Sequence, residues 1–237
     1  MKRTKKQILL TLMTESSASP QSDPSFTRQR RRMVADQLIP RGINCPRVLQ
    51  AMQDVPRELF MPPDLTGDAY DDGPRPIGHG QTISQPYTVA FGVEALGLDG
   101  HEKVLEIGTG SGYAAAVLAQ LAASVHTIER IPELAGTAAQ HLQQAGITNV
   151  TVHTGDGSQG LLSEAPFDAI IAAAGAPSLP QNYSDQLSDG GRIVLPIGPM
   201  HQQSMMRFTK RSGRLIEENL GAFCFVPLIG TDAWSAS

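Results

Sequence analysis

The sequence predicts an α/β fold: a mostly parallel, doubly wound sheet of the Rossmann-like kind, with an N-terminal helical portion and a C-terminal antiparallel hairpin. Three observations predict it. From Val104 to Ile197, short apolar runs of strand length alternate with helix-length segments, the order of consecutive βαβ units. The first run, Val104 to Ile107, delivers a loop with glycines at 108, 110 and 112, and an alanine-rich segment follows at once. Phe167 to Ala172 is an apolar run broken only by Asp168, as expected of a central strand buried on both faces.

The elements follow in order. Met1 to Lys6 is basic and Ile8 to Met13 is apolar but interrupted by Thr11, too short for the apolar stretch of a signal peptide. Residues 1–25 therefore read as a mobile tail, and the chain as cytoplasmic. Phe26 to Leu38 is a basic helix with Phe26, Met33, Val34 and Leu38 available for a buried side. Its Arg28, Arg30, Arg31 and Arg32 read as a solvated face. Cys45-Pro46 opens a second helix through Gln53, and Val55 to Phe60 continues it. Asp64 to Gly80, rich in Pro, Gly and Asp, reads as loop. Gln85 to Leu98 carries Val89, Val93 and Leu96 at helical spacing. Then come helix Tyr113–Leu121, strand 124–128, helix Pro132–Ala145 and strand 149–153, with Pro132 suited to a first helical turn. Gly190 to Ile197 is the next strand, and Ser204–Thr209 with Arg214–Leu220 form the closing hairpin. Residues 26–237 thus read as a single domain: a helical and substrate-loop portion (26–98), a cofactor-binding core (99–200) and C-terminal strands with a substrate-side extension (201–237).

Composition narrows the function. A net charge of −4 and a pI near 5.8 argue against a nucleic-acid binder held by phosphate contacts. Cys45 and Cys224 lie far apart and form no metal-ligand pattern. No apolar run reaches the length of a membrane span.

The glycine loop points to a nucleotide. Glycine lets the chain turn sharply and approach a ligand, and the helix start offers unpaired N–H donors. A dinucleotide fingerprint needs its third glycine where Tyr113 stands. Gly108, Gly110 and Gly112 instead make E-x-G-x-G-x-G with Glu106, which resembles the first motif of S-adenosylmethionine-dependent methyltransferases. Glu129, at the end of the next strand, is placed to accept from both hydroxyls of a ribose. Asp156, in Gly155-Asp156-Gly157, sits where a carboxylate takes the exocyclic amine of an adenine, with Gly157 leaving room for the ring; an ordinary Asp-Gly turn is the other reading.

The second informative segment is Gly78 to Tyr87. Ser84 before Gln85-Pro86 reads either as a helix N-cap or as a site residue. The string GQTISQPY, with EIGTGSGY, Ile128-Glu129-Arg130, Gly155-Asp156-Gly157 and the late FVPL at Phe225 to Leu228, resembles the protein-L-isoaspartate O-methyltransferase family from about Phe26 to Gly230. The resemblance implies methyl transfer from S-adenosylmethionine to the free α-carboxylate of L-isoaspartyl residues in damaged proteins, leaving S-adenosylhomocysteine and starting repair to aspartate. It implies that Ser84 is the active-site serine, and that Ile83, Ser84 and the backbone of Val226 meet the substrate. It implies cofactor contacts from Thr82, Ile83, Glu106, Gly108, Thr109, Gly110, Ser111, Gly112, Glu129, Arg130, Asp156 and Gly157, with isoaspartyl proteins and peptides as partners; the chemistry and composition call for no metal, nucleic acid or membrane, and the chain reads as a monomer.

The chemistry suits this residue set. A carboxylate has a reference pKa near 4, so the nucleophile is ionised at neutral pH. The sulfonium is an activated leaving group, so what remains is positioning, which supplies much of such a rate. His79, between two glycines, reads as a loop histidine without a catalytic role. One departure stands out: family members often carry threonine after the strand at Ile170-Ile171, where this chain has Ala172-Ala173-Ala174-Gly175. Two rivals remain at this level. A methyltransferase for small molecules or nucleic acid shares the glycine loop but gives no reason for GQTIS and FVPL; a non-catalytic binding protein would hold cofactor without transferring methyl.

Overall fold

The computed structural model describes residues 23–200 and 202–235. The expected tail over 1–25 lies outside them up to residue 22, and from Pro24 the chain is already helical. Helix α1 spans Pro24–Arg32, capped by Asp23, whose side chain accepts from Ser25 N–H at 2.8 Å. Proline at the first helical position has no N–H to satisfy, so the helix starts two residues earlier than its apolar pattern indicates. The arginine run is not uniformly solvated. Arg28, Arg31 and Arg32 are exposed, while Arg30 is buried, donating to Asp54 O at 2.8 Å and pairing with Glu58 at 3.4 Å. A π-turn over Met33–Leu38 and a 3-10 turn over Ile39–Arg41 end this segment. Pro40 lacks the N–H that an α-helical ladder would need there.

Helix α2, Pro46–Asp54, stops where Val55 turns extended before Pro56. A residue preceding proline is pushed out of the α region. The expected continuation through Phe60 is therefore a separate 3-10 turn, Arg57–Phe60. The expected loop over 64–80 holds a 3-10 turn at Pro63–Asp68 and a small hairpin, β1 (Arg75–Gly78) against β2 (Gln81–Ile83). His79 and Gly80 at its tip both have positive φ, 52° and 70°. Two such residues make the tight turn whose twist matches paired strands. Helix α3, Pro86–Leu96, ends at Gly97 in the left-handed region.

The core is a seven-stranded sheet in the order β5-β4-β3-β6-β7-β8-β9. Its strands are β3 (Lys103–Ile107), β4 (Ser124–Glu129), β5 (Val150–Thr154), β6 (Phe167–Ala172), β7 (Leu187–Ile197), β8 (Gln203–Arg211) and β9 (Arg214–Phe223). The first five run parallel and the last two antiparallel, as the alternation and the closing hairpin predict. Helices α4 (Tyr113–Ala119) and α5 (Pro132–Gln144) link β3 to β4 and β4 to β5, and a short α6 (Gln181–Asp185) precedes β7. Side chains alternate between faces. Val104, Ala169 and Val194 join a core with the helices on one side; Leu105, Ile170 and Ile193 join Tyr183 and Leu228 on the other. Strand β3 lies between β4 and β6, so the order reverses there and a crevice opens at its carboxyl end.

Candidate active site

The glycine loop leaves β3 at that crevice. Gly108, Gly110 and Gly112 all have positive φ, 90°, 54° and 89°, a path closed to most side chains. Glu129, at the end of β4, is 7% exposed and holds the loop from the side. Its Oε2 accepts from Gly110 N–H at 2.9 Å and its Oε1 from Ile131 N–H at 3.0 Å. The acid is thus fixed by two backbone donors while still lining the cavity.

Glu106 stands behind the loop, not in it. It is 1% exposed and does not line the cavity. Its Oε2 accepts from the Thr127 hydroxyl at 2.6 Å, and Thr109 Oγ1 lies 2.6 Å from the same hydroxyl. With Thr127 donating to Glu106, Thr109 must donate to Thr127. Burial pushes the Glu106 carboxyl up to about 8, the Thr127 hydrogen bond opposing this and the nearby Glu129 adding to it. Glu106 is thus linked through Thr127 to Thr109, which does line the cavity.

Two further expected contacts also lie outside the lining. Gly112 is the residue before α4; its φ of 89° favours glycine, and a Cβ there would lie a tight 3.3 Å from Ala138 on α5. Asp156 points to the C-terminal segment. Its Oδ1 accepts from Ser158 N–H at 2.9 Å and from the Ser158 hydroxyl at 2.6 Å, and its Oδ2 from Thr231 N–H at 2.8 Å. Burial raises its pKa, but these bonds outweigh it and hold the carboxyl below the ordinary value. Gly157 does line the cavity, yet a Cβ there would lie 2.7 Å from Ile107 Cγ2, so packing against the sheet demands glycine before any ligand does.

The substrate-side residues converge on the same space. Thr82, Ile83 and Ser84 run from β2 toward α3 and line the cavity with Gly108, Thr109, Gly110, Ser111, Glu129, Arg130 and Val226. Ser84 is not the cap of α3. That position is Gln85, which makes no side-chain cap bond, and among the described residues no hydrogen bond engages the Ser84 hydroxyl. Gln85 instead donates to Asp72 at 2.7 Å. Val226 has its carbonyl occupied by Gly175 N–H at 2.8 Å, while its own N–H has no partner among the described residues. His79 is exposed at the hairpin tip and is not part of the lining, though its neighbour Gly80 is.

The cavity encloses about 300 Å³. Its lining fits S-adenosylmethionine: a carboxylate to accept from a ribose diol, loop glycines and a helix start for polar groups, and apolar walls from Ile107, Ile128 and Leu228 for a flat base. Spacing alone does not reveal those walls. Ala173 and Ala174 belong to them too, and Ala173 Cβ lies 3.7 Å from where a Gly108 Cβ would stand.

Comparison with known proteins agrees. A family model described as Protein-L-isoaspartate(D-aspartate) O-methyltransferase (PCMT) matches residues 29–233. The chain is 51% identical over 214 residues to a Protein-L-isoaspartate O-methyltransferase of Methanoculleus marisnigri, covering 90% of this chain and 97% of that one. It is 55% identical over 214 residues to Protein-L-isoaspartate O-methyltransferase 1 of Rhodopseudomonas palustris, covering 90% and 87%. A solved protein-L-isoaspartate O-methyltransferase superposes with a TM-score of 0.75 at 28% identity, over 86% of this chain and 67% of that one. A Plasmodium falciparum structure, described as a candidate enzyme of the same name in complex with S-adenosyl-L-homocysteine, gives 0.73 at 26% identity, over 84% and 98%.

Proposed function

We infer the roles of individual residues from one premise: the chain belongs to the protein-L-isoaspartate(D-aspartate) O-methyltransferase family. Its activity is S-adenosylmethionine-dependent methylation of isoaspartyl residues, a protein-repair reaction. Bound there, S-adenosylmethionine supplies a methyl group activated by its positively charged sulfur. The chain's residues have to hold the acceptor carboxylate in line with that group and keep water away.

One observation carries the assignment of roles: Ser84 lines the same cavity as the glycine loop and Glu129, and its hydroxyl serves no cap. Ser84 Oγ–H donates to the isoaspartyl α-carboxylate, fixing it without abstracting a proton. The Val226 N–H, without a partner among the described residues, donates to a carbonyl of the substrate backbone. Glu129 accepts from the ribose hydroxyls while its bonds to Gly110 and Ile131 hold it still. Thr82, Ile83, Thr109, Ser111 and Arg130 complete the walls. A carboxylate ionised at neutral pH needs no general base, and none of these roles asks for one.

The lining comes from residues 80–89, 107–174 and 226–229, which supports treating 26–237 as a single domain; that it works as a monomer is part of the same proposal. The free Cys45 and Cys224 support a reducing, cytoplasmic setting. Among the described residues no helix is long and apolar enough to cross a membrane. The deciding assay is methyl transfer from labelled S-adenosylmethionine to matched peptides differing only in isoaspartate or aspartate. Transfer to the isoaspartyl peptide alone is expected; equal transfer to both would overturn the assigned substrate.

A further inference from the structure

A buried arginine sits behind the cofactor loop, with no salt-bridge partner among the described residues. Arg57 is 0% exposed, and its Nε donates to Ala69 O at 2.7 Å. Its other two guanidinium nitrogens have no hydrogen-bond partner among the described residues. The neighbouring carboxylate, Glu58, is taken by Arg30 and by the Tyr70 hydroxyl. What the guanidinium faces is an aromatic ring: its Cζ lies 4.7 Å from the centroid of Tyr113. Cation–π attraction is strongest for such desolvated pairs. Tyr113 is the first residue of α4, directly after the glycine loop, and it lines the cavity.

Three residues on, Phe60 closes the arrangement. Its ring meets Tyr113 edge-on at 5.8 Å and 63°, and His141 at 5.8 Å and 74°. His141 Nδ1 is 3.0 Å from the carbonyl of Ser111, so the tautomer with its proton on Nδ1 donates to the glycine loop itself. The 3-10 turn Arg57–Phe60 thus grips the loop's end twice, through the Tyr113 ring and through the Ser111 carbonyl.

We propose that Arg57 and Phe60 are positioning residues for the cofactor: they fix the end of the glycine loop through Tyr113 and His141, without touching the ligand. This rests on the reading of that loop as the cofactor cradle. A bare buried cation would be a costly way to fill the core. Its placement against the ring that anchors the loop gives the cost a purpose.

The test uses the full chain with Arg57→Met, Arg57→Lys and Phe60→Leu, and Glu129→Gln as a control on the cradle itself. Calorimetry reads S-adenosylhomocysteine affinity, and steady-state assays at saturating cofactor read the KM for an isoaspartyl peptide. Arg57→Met and Phe60→Leu are expected to weaken the nucleotide about tenfold while peptide KM stays within twofold, and Arg57→Lys to recover part of the loss. Should Arg57→Met not fold, Phe60→Leu and Arg57→Lys decide on the same criteria. Lower thermal stability with nucleotide affinity within twofold of the parent, or equal losses of nucleotide affinity and peptide KM, would overturn the proposal. An unchanged affinity in Glu129→Gln would instead remove the ribose contact from Glu129, and loss of S-adenosylhomocysteine binding in none of the variants would bring down the cradle reading.

Discussion

Ser84→Ala separates a structural serine from a working one. If Ser84 capped α3, its loss would cost about 0.5–2 kcal/mol. The structure places the cap at Gln85 and leaves the Ser84 hydroxyl without a protein partner among the described residues. The expected stability change is therefore that of an ordinary half-buried polar position, within about 0.5 kcal/mol. For a chain of this size 1 kcal/mol moves Tm by about 2–4 °C, so the shift should stay under about 2 °C. Activity is another matter. Losing one hydrogen bond to a charged group costs about 1.5–3 kcal/mol. At 1.36 kcal/mol per tenfold, that is roughly a 10- to 150-fold fall in kcat/KM. The assay is labelled methyl transfer to an isoaspartyl peptide, with S-adenosylhomocysteine affinity by calorimetry and Tm measured alongside. Affinity should change less than twofold. Ser84→Thr keeps the hydroxyl and should retain more activity than alanine. A kcat/KM within threefold of the parent, corrected for folded fraction, would refute the role given to Ser84.

Three further outcomes are expected. Glu129→Gln replaces one of two acceptors with a donor facing a backbone N–H, and S-adenosylhomocysteine should bind about 1–3 kcal/mol more weakly, as titration would read; unchanged affinity would return Glu129 to a loop brace alone. Glu106 is held neutral by burial, with its pKa raised from 4.5 to about 8. Folding stability carried by that proton is therefore whole below pH 4.5 and is lost as pH rises toward 8, by up to about 1.4 kcal/mol per unit. Urea titrations of Glu106→Gln should give a flatter profile over that window, and a profile parallel to the parent's would show that Glu106 is charged when folded. S-adenosylmethionine and S-adenosylhomocysteine should both bind more tightly than NAD, and calorimetry giving the reverse order would sink the link from glycine spacing to cofactor.

Much of the fold was legible because parallel strands buried on both faces are written as local apolar runs, as in β3 and β6; β4 and the edge strand β5 also appear within a residue or so of their expected bounds. The hairpin β1–β2 was not, because strands of three or four residues containing Pro76 carry no readable alternation. The break after α2 was legible in principle from Val55-Pro56, a local steric rule outweighed by the apolar pattern around it.

The sequence by itself determined the family, the cofactor class and the strand ends where the site lies, since glycine spacing and an acid after a strand are short-range signals. Only the tertiary structure decided what each residue faces. Glu106 and Glu129 both end or nearly end a parallel strand, yet one is sealed behind Thr127 and the other opens on the cavity. Asp156 binds Thr231, 75 positions away, and Arg57 meets Tyr113 across the join between the N-terminal turn and the glycine loop. Residue order fixes period and turn chemistry locally; which donor finds which acceptor, and which ring meets which charge, is settled when distant segments pack together.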